Sequence, residues 1–175
     1  MAILKVARMG HPVLRAKARA LDRAEIGSPR VQQLIDDMIE TMFEYRGVGL
    51  AAPQVHEGLR LFVASLDEEG ASGADGEPVA VLNPEIVAAG SEAIEDWEGC
   101  LSIPDIRGRV ARPRTVRVRA LGRKGERIEL DAKDFPARVI QHEYDHLDGV
   151  LFLDRMKSFQ SLTFLDEHAR YWTKD

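Results

Sequence analysis

Cysteine is what this sequence has least of. Cys100 is the only one among 175 residues, so no disulfide can form within the chain and a disulfide-stapled secreted scaffold is excluded. Long apolar runs are missing as well. No segment approaches the roughly 18 consecutive apolar residues of a membrane span, and Lys5, Arg8 and His11 interrupt residues 1–12, where a signal peptide would need an unbroken apolar stretch. These absences fit a cytoplasmic, reducing compartment and no membrane partner. Positive charge is not in excess either: Lys plus Arg is 24 against 29 for Asp plus Glu, a formal charge of −5 with a pI near 5.6. A protein that neutralises a phosphate backbone normally carries the opposite sign, so sequence-specific nucleic-acid binding is not expected. There is no internal repeat, no low-complexity tract and no Pro/Gly/Ser linker. What is present, 45% hydrophobic and 30% charged residues, is ordinary globular composition in a chain of one-domain length.

Hydrophobic spacing organises the chain. Residues 29–45 read as a helix: Ser28 stands at an N-cap position, Pro29 suits the first turn, and Val31, Leu34, Ile35, Met38, Met42 and Tyr45 recur every three or four residues before Gly47. Residues 59–66 read as a strand, 67–78 as an acidic, glycine-rich surface loop, and 79–82 and 85–89 as two short strands divided by Asn83-Pro84. Residues 115–121 alternate with period two and turn at 122–125 into 127–131, a hairpin. A second helix is expected from a capping Asp134 to about Gly149. The tail, 156–175, carries apolar residues that suit either a short helix or a docked strand, and its aromatics read as core. The expected architecture is α+β: a single domain, 1–175, of antiparallel strands around a central helix, with a second long helix nearer the N-terminus.

That central helix carries His142-Glu143-Tyr144-Asp145-His146, an HExxH motif. Residues four apart share a helix face, so two imidazoles converge on one point and Glu143 stands beside it as a base for a water. A catalytic metal site typically holds three protein ligands and leaves a fourth position open. Two residues compete for the third place. Glu167, downstream, would make a zinc endopeptidase, while Cys100 lies upstream in Glu98-Gly99-Cys100-Leu101-Ser102; the bland alternative for a free cysteine is a small buried hydrophobe. A non-catalytic metal-binding module is the reading from another class. A papain-like Cys100 nucleophile leaves the HExxH spacing unexplained. A third segment, residues 47–54 (GVGLAAPQ), has glycines and alanines that let a backbone lie flat against a ligand or strand, and ends in the amide of Gln54. It does not match G-x-G-x-x-G, so dinucleotide binding is not indicated.

GVGLAAPQ (47–54), EGCLS (98–102) and QHEYDHLDG (141–149), in this order and at these separations, resemble the three signature motifs of the peptide deformylases. The similarity runs from about Ile3 to Arg155. It implies a metal-dependent hydrolase that removes the N-terminal formyl group from formyl-methionine of newly made polypeptides and releases formate. By resemblance, Cys100, His142 and His146 would hold one divalent metal ion, Fe2+ in the cell with Zn2+, Ni2+ or Co2+ as replacements. Glu143 would be the base, and the Gln54 amide with the Leu101 backbone N–H would donate to the developing oxyanion. Gly47, Val48 and Gly49 would pair with the peptide as an added strand, and Glu98 and Gly99 belong to the same substrate-binding surface. The implied partners are N-formyl-methionyl nascent peptides, with a transient ribosome contact that a charge of −5 does not favour, although residues 107–119 offer a local basic run.

The sequence departs from many bacterial members at Arg138, where an apolar residue is usual; the plant- and mitochondrial-like branch carries Arg there. Asp96, Trp97, Phe135 and Arg138 leave the methionine pocket unmapped, with Val48 its one candidate inside a matched motif. Glu98 and Arg107 are expected to pair in support of the Cys100 loop. His11, His56 and His168 match no motif and read as surface or capping residues.

Overall fold

The computed structural model describes residues 2–66 and 77–173, so most of the expected loop at 67–78 lies outside the described residues. A 3-10 turn at Pro12–Arg15 and the one-turn helix α1 (Arg23–Ile26) lead into α2 (Pro29–Glu44). The chain continues through β1 (Gly49–Ala51), a 3-10 turn at Ala52–Val55, β2 (Leu61–Ala64), β3 (Val79–Ala89), β4 (Ala93–Cys100) and β5 (Ile103–Pro113). It then forms β6 (Thr115–Leu121), β7 (Arg127–Lys133), α3 (Asp134–Leu147), α4 (Phe152–Arg155), β8 (Thr163–Phe164) and α5 (Leu165–Tyr171). Antiparallel pairing gives a five-stranded sheet in the order β1-β2-β3-β6-β7 and a three-stranded sheet β4-β5-β8. This is the single α+β domain the pattern implied. No helix among the described residues is long and apolar enough to cross a membrane.

The two long helices sandwich the larger sheet. Ser28 Oγ accepts from the Val31 N–H at the start of α2, and Val31, Ile35, Met38 and Met42 are buried along one face. That face meets Leu50, Leu61, Val63 and Leu82, while the intervening Phe62, Ala64 and Val81 point the other way, onto Ala137, Ile140 and Leu147 of α3. β2 therefore buries both faces. Its unbroken Leu-Phe-Val-Ala run needs no polar alternation for that reason. β6 shows the contrary pattern: Val116, Val118 and Ala120 face α3, and Arg117 and Arg119 face solvent against Asp131 and Glu129 of β7.

Four local expectations need correction. Residues 79–89 form one strand, because Asn83, at φ 49°, absorbs a register shift and ties its amide to both backbone groups of Leu21. The long β4-β5 hairpin was not expected, since the charges and punctuating Gly and Pro of 93–113 conceal its alternation. Asp134 is no N-cap: it is the first residue of α3, at φ 55°, and its carboxylate accepts from Arg114 Nε at 2.7 Å. The tail uses both proposed forms, β8 and then α5, and its Phe159, Phe164, Tyr171 and Trp172 are exposed rather than core.

Gly149 ends α3 at φ +73°, and a Cβ there would lie 2.6 Å from the Arg15 carbonyl oxygen. Left-handed backbone alone costs an L-residue roughly 1–2 kcal/mol, and the collision adds to it. Gly149→Ala is expected to lower unfolding stability by at least about that amount, read from urea midpoints at unchanged m-value; an unaltered midpoint would contradict this account of the α3 terminus.

Candidate active site

α3 and the β4-β5 hairpin face each other, and the reactive side chains lie between them. His142, Glu143 and His146 project from α3, and Cys100 stands at the last position of β4. The thiol and one nitrogen from each imidazole lie within 4.8 Å of one another, with Cys100 Sγ 3.3 Å from His146 Nε2. No other group of three or more metal-ligating side chains occurs among the described residues. Burial alone would push the Cys100 thiol up, but the adjacent His146 and His142 outweigh it and hold the thiol well below its ordinary value. For His142, burial disfavours charge, yet Cys100 and Glu98 prevail and raise it well above the usual imidazole range. A thiolate with two imidazoles converging in a buried site suits a borderline-soft divalent ion. Glu167 takes no part: it pairs with Arg170 on α5, which removes it as a third ligand.

Glu143 is buried, and burial pushes its pKa up against the pull of His142 and His146. Its Oε2 has no hydrogen-bond partner among the described residues. Gly49 makes room for it, since a Cβ there would sit 2.5 Å from Glu143 Oε1. Gln54 is held from its oxygen end: Oε1 accepts from the Ala51 N–H at 2.8 Å, which turns Nε2 toward Ser102 Oγ (3.2 Å) and Cys100 Sγ (3.5 Å).

Behind the site lies a buried ion cluster that the sequence did not disclose. Glu98 Oε1 accepts from Arg112 Nε (2.5 Å) and Arg138 Nη1 (2.8 Å), and Oε2 accepts from Arg112 Nη2 (3.0 Å) and His142 Nδ1 (2.9 Å). Arg112 also donates to Asp145, whose second oxygen takes Arg155 Nη2 at 2.6 Å. Burial would raise the Glu98 carboxyl, but the bonds from His142 and Arg112 dominate and hold it well below the usual carboxylate range. Glu98 lines the cavity, but both its oxygens are engaged by these groups, and its bond to Nδ1 leaves His142 Nε2 for the ligand cluster. The expected Glu98–Arg107 pair does not form; Arg107 Nη1 donates to the Ile106 carbonyl instead. Asp145 stands inside the HExxH motif, but nothing local marked Arg112 as its partner.

A cavity of about 540 Å³ opens onto these groups. Val48, Trp97, Phe135, Arg138 and Val139 contribute to its walls, whereas Asp96 does not and instead accepts from the Trp97 N–H at 2.7 Å. Gly47, Gly49, Gly99 and Leu101 also line it. The tail reaches the same place. Leu165 lines the cavity, and His168 and Trp172 pack on Trp97 with ring centroids 4.5 and 5.5 Å away. His11 caps the first 3-10 turn, its Nδ1 accepting from the Val13 N–H, and His56 is exposed and packs edge-on to His11.

Comparison with known proteins agrees with this geometry. The family model for polypeptide deformylases matches residues 3–161. Peptide deformylase 2 of Nostoc sp. is 41% identical over 175 residues, covering 99% of this chain and 97% of that protein. Peptide deformylase 1 of Clostridium acetobutylicum is 46% identical over 156 residues, 89% of this chain and 96% of its own. Among solved structures, the Met-Ala-Ser-bound class I type b peptide deformylase from Acinetobacter baumannii superposes with a TM-score of 0.83 at 39% identity, covering 89% of this chain and 99% of that one. Peptide deformylase from Thermotoga maritima gives 0.81 at 39% identity, with 90% and 100% covered. Matched across nearly its whole length in both sequence and fold, the chain belongs to the polypeptide deformylase family.

Proposed function

We propose that this chain hydrolyses the N-formyl amide of formyl-methionyl nascent peptides, releasing formate and a free amino terminus. The observation that carries the reading is the convergence of Cys100, His142 and His146 beside a buried Glu143, whose Oε2 has no hydrogen-bond partner among the described residues, in a cavity that opens onto all of them but His146. Cys100 Sγ and one nitrogen of each histidine would hold one divalent ion, which would polarise the formyl carbonyl and acidify the attacking water. Thiolate and imidazole together admit iron, zinc, nickel and cobalt, and we infer Fe2+ in the cell from the family resemblance. We place the enzyme in the cytoplasm, where a thiolate stays reduced.

The chain's own groups account for the remaining steps. Glu143, whose raised pKa brings it nearer neutrality, takes a proton from the water and returns it to the departing amine nitrogen. Gln54 Nε2, already oriented by the Ala51 N–H, donates to the oxygen on which negative charge develops, together with the Leu101 backbone N–H. Val48, Phe135 and Val139 offer apolar wall to the methionine side chain. Among the described residues β1 pairs with β2 alone, so the substrate backbone can add at its other edge as a further strand along Gly47, Val48 and Gly49. The basic run at 107–119 gives a ribosome contact little to use, since Arg109, Arg112, Arg114, Arg117 and Arg119 all hold carboxylates.

Formate release from formyl-Met-Ala-Ser, measured anaerobically with metal content on the same sample, should show turnover with about one ion per chain. A metal-loaded sample without turnover would overturn the reading. Glu143→Gln is expected to keep its metal while losing about 10²–10⁴ in rate, whereas Cys100→Ala should lose the metal itself. Gln54→Leu should cost about 10²–10³ in kcat with the metal retained; an unaltered kcat would remove Gln54 from the oxyanion site.

A further inference from the structure

The mouth of the cavity carries charge that the reaction does not use. Arg8, Arg46 and Arg107 all line it, and none has a carboxylate partner among the described residues. On the strands nearby the opposite is the rule, with Arg109, Arg112, Arg117 and Arg119 each paired. The acidic groups on the cavity wall do not balance them. Glu98 is consumed by Arg112, Arg138 and His142, Glu143 lies inside at the reacting centre, and Asp105 alone remains at the rim. On a chain of net charge −5, this is a local positive collar of three guanidiniums against one carboxylate.

Its position along a bound peptide follows from the backbone. Gly49 touches Glu143, so the scissile amide lies level with Gly49. A substrate running antiparallel to β1 passes Val48 and Gly47 and then meets Arg46, which stands three residues before Gly49 in the turn that ends α2 and lines the same cavity. Arg107 lines the same cavity from the β4-β5 hairpin, its guanidinium lying over Gly99. Arg8 sits between two anchors, Ala7 N–H to Gln54 O (2.7 Å) and Met9 N–H to Ser102 O (2.8 Å), which pin its segment beside the site. Arg46 also holds a left-handed backbone, φ 53°, just past the end of α2. Glycine occupies such a position at lower cost, so the arginine side chain is not there for the turn.

We infer that Arg8, Arg46 and Arg107 form a carboxylate-selecting subsite that favours formylated peptides with an acidic side chain near their third residue. The inference rests on the deformylase reading and adds a substrate preference to it. A peptide carboxylate entering this collar gains attraction that a neutral amide does not, and a lysine meets repulsion.

The test compares formyl-Met-Ala-Glu-amide, formyl-Met-Ala-Gln-amide and formyl-Met-Ala-Lys-amide, with free-acid formyl-Met-Ala-Gln to separate a side-chain carboxylate from a chain terminus. At low salt kcat/KM should be about 5–10-fold higher for Glu than for Gln, with Lys lowest, and the ratio should shrink toward one near 1 M salt. Arg46→Gly should cut the Glu/Gln ratio about threefold or more without lowering the unfolding midpoint, and Arg46→Glu should cut it further. Equal kcat/KM for Glu and Gln, with formate still released from both, would overturn the subsite and leave the deformylase reading intact. A gain confined to the free-acid peptide would overturn the side-chain assignment. No formate from any of the peptides would overturn the deformylase reading and this inference together.

Discussion

The Glu98 carboxylate, buried between α3 and the β4-β5 hairpin, accepts from Arg112, Arg138 and His142 at once. Each of these charges would be costly to bury alone, and each is tolerable only because the others are present. The cluster therefore acts as a unit. It joins β4, β5 and α3 and extends through Asp145 to Arg155 after the helix. Because Glu98 takes the Nδ1 side of His142, the ring is turned with its other nitrogen toward Cys100 and His146. Glu98 is also only two residues before Cys100, so the same carboxylate that orients a histidine anchors the strand end bearing the thiol.

Around that anchor the site divides by polarity. Glu143 and Gln54 sit deep, where exclusion of water raises the base and strengthens each donated hydrogen bond. Val48, Phe135 and Val139 form the apolar wall beside them; Arg138 is tied to Glu98, and the arginines without a carboxylate partner among the described residues, Arg8, Arg46 and Arg107, also line the cavity. The tail belongs to this arrangement too. α5 presents Leu165 to the cavity and sets His168 and Trp172 against Trp97, so the terminal segment helps shape the entrance rather than filling the core.

The parts of this arrangement that could be read from sequence are those with a local period. α2 showed itself by apolar residues three and four apart and a Ser-Pro start, and the HExxH imidazoles share a face because they are four apart on a helix. β6 alternates, so its hairpin with β7 was legible. The ion cluster has no period. Glu98 and Arg112 meet only because β4 and β5 fold back on each other, and Arg107, nearer in sequence, was the natural but wrong partner. β3 was read as two strands because Asn83-Pro84 usually breaks one, whereas here the asparagine spends its amide on Leu21 and the strand continues. The tail misled for another reason: its His168 and Trp172 pack on Trp97, some seventy positions upstream, which no local pattern reports.

If Glu98 preorganises the ligand set, its effect should appear in metal affinity before any chemistry is considered. Titration of metal-free protein with Co2+ or Zn2+, comparing wild type with Glu98→Gln at matched folded fraction, tests this most directly. The account predicts affinity lowered about 10–100-fold in the variant; equal affinity in the two proteins would contradict it.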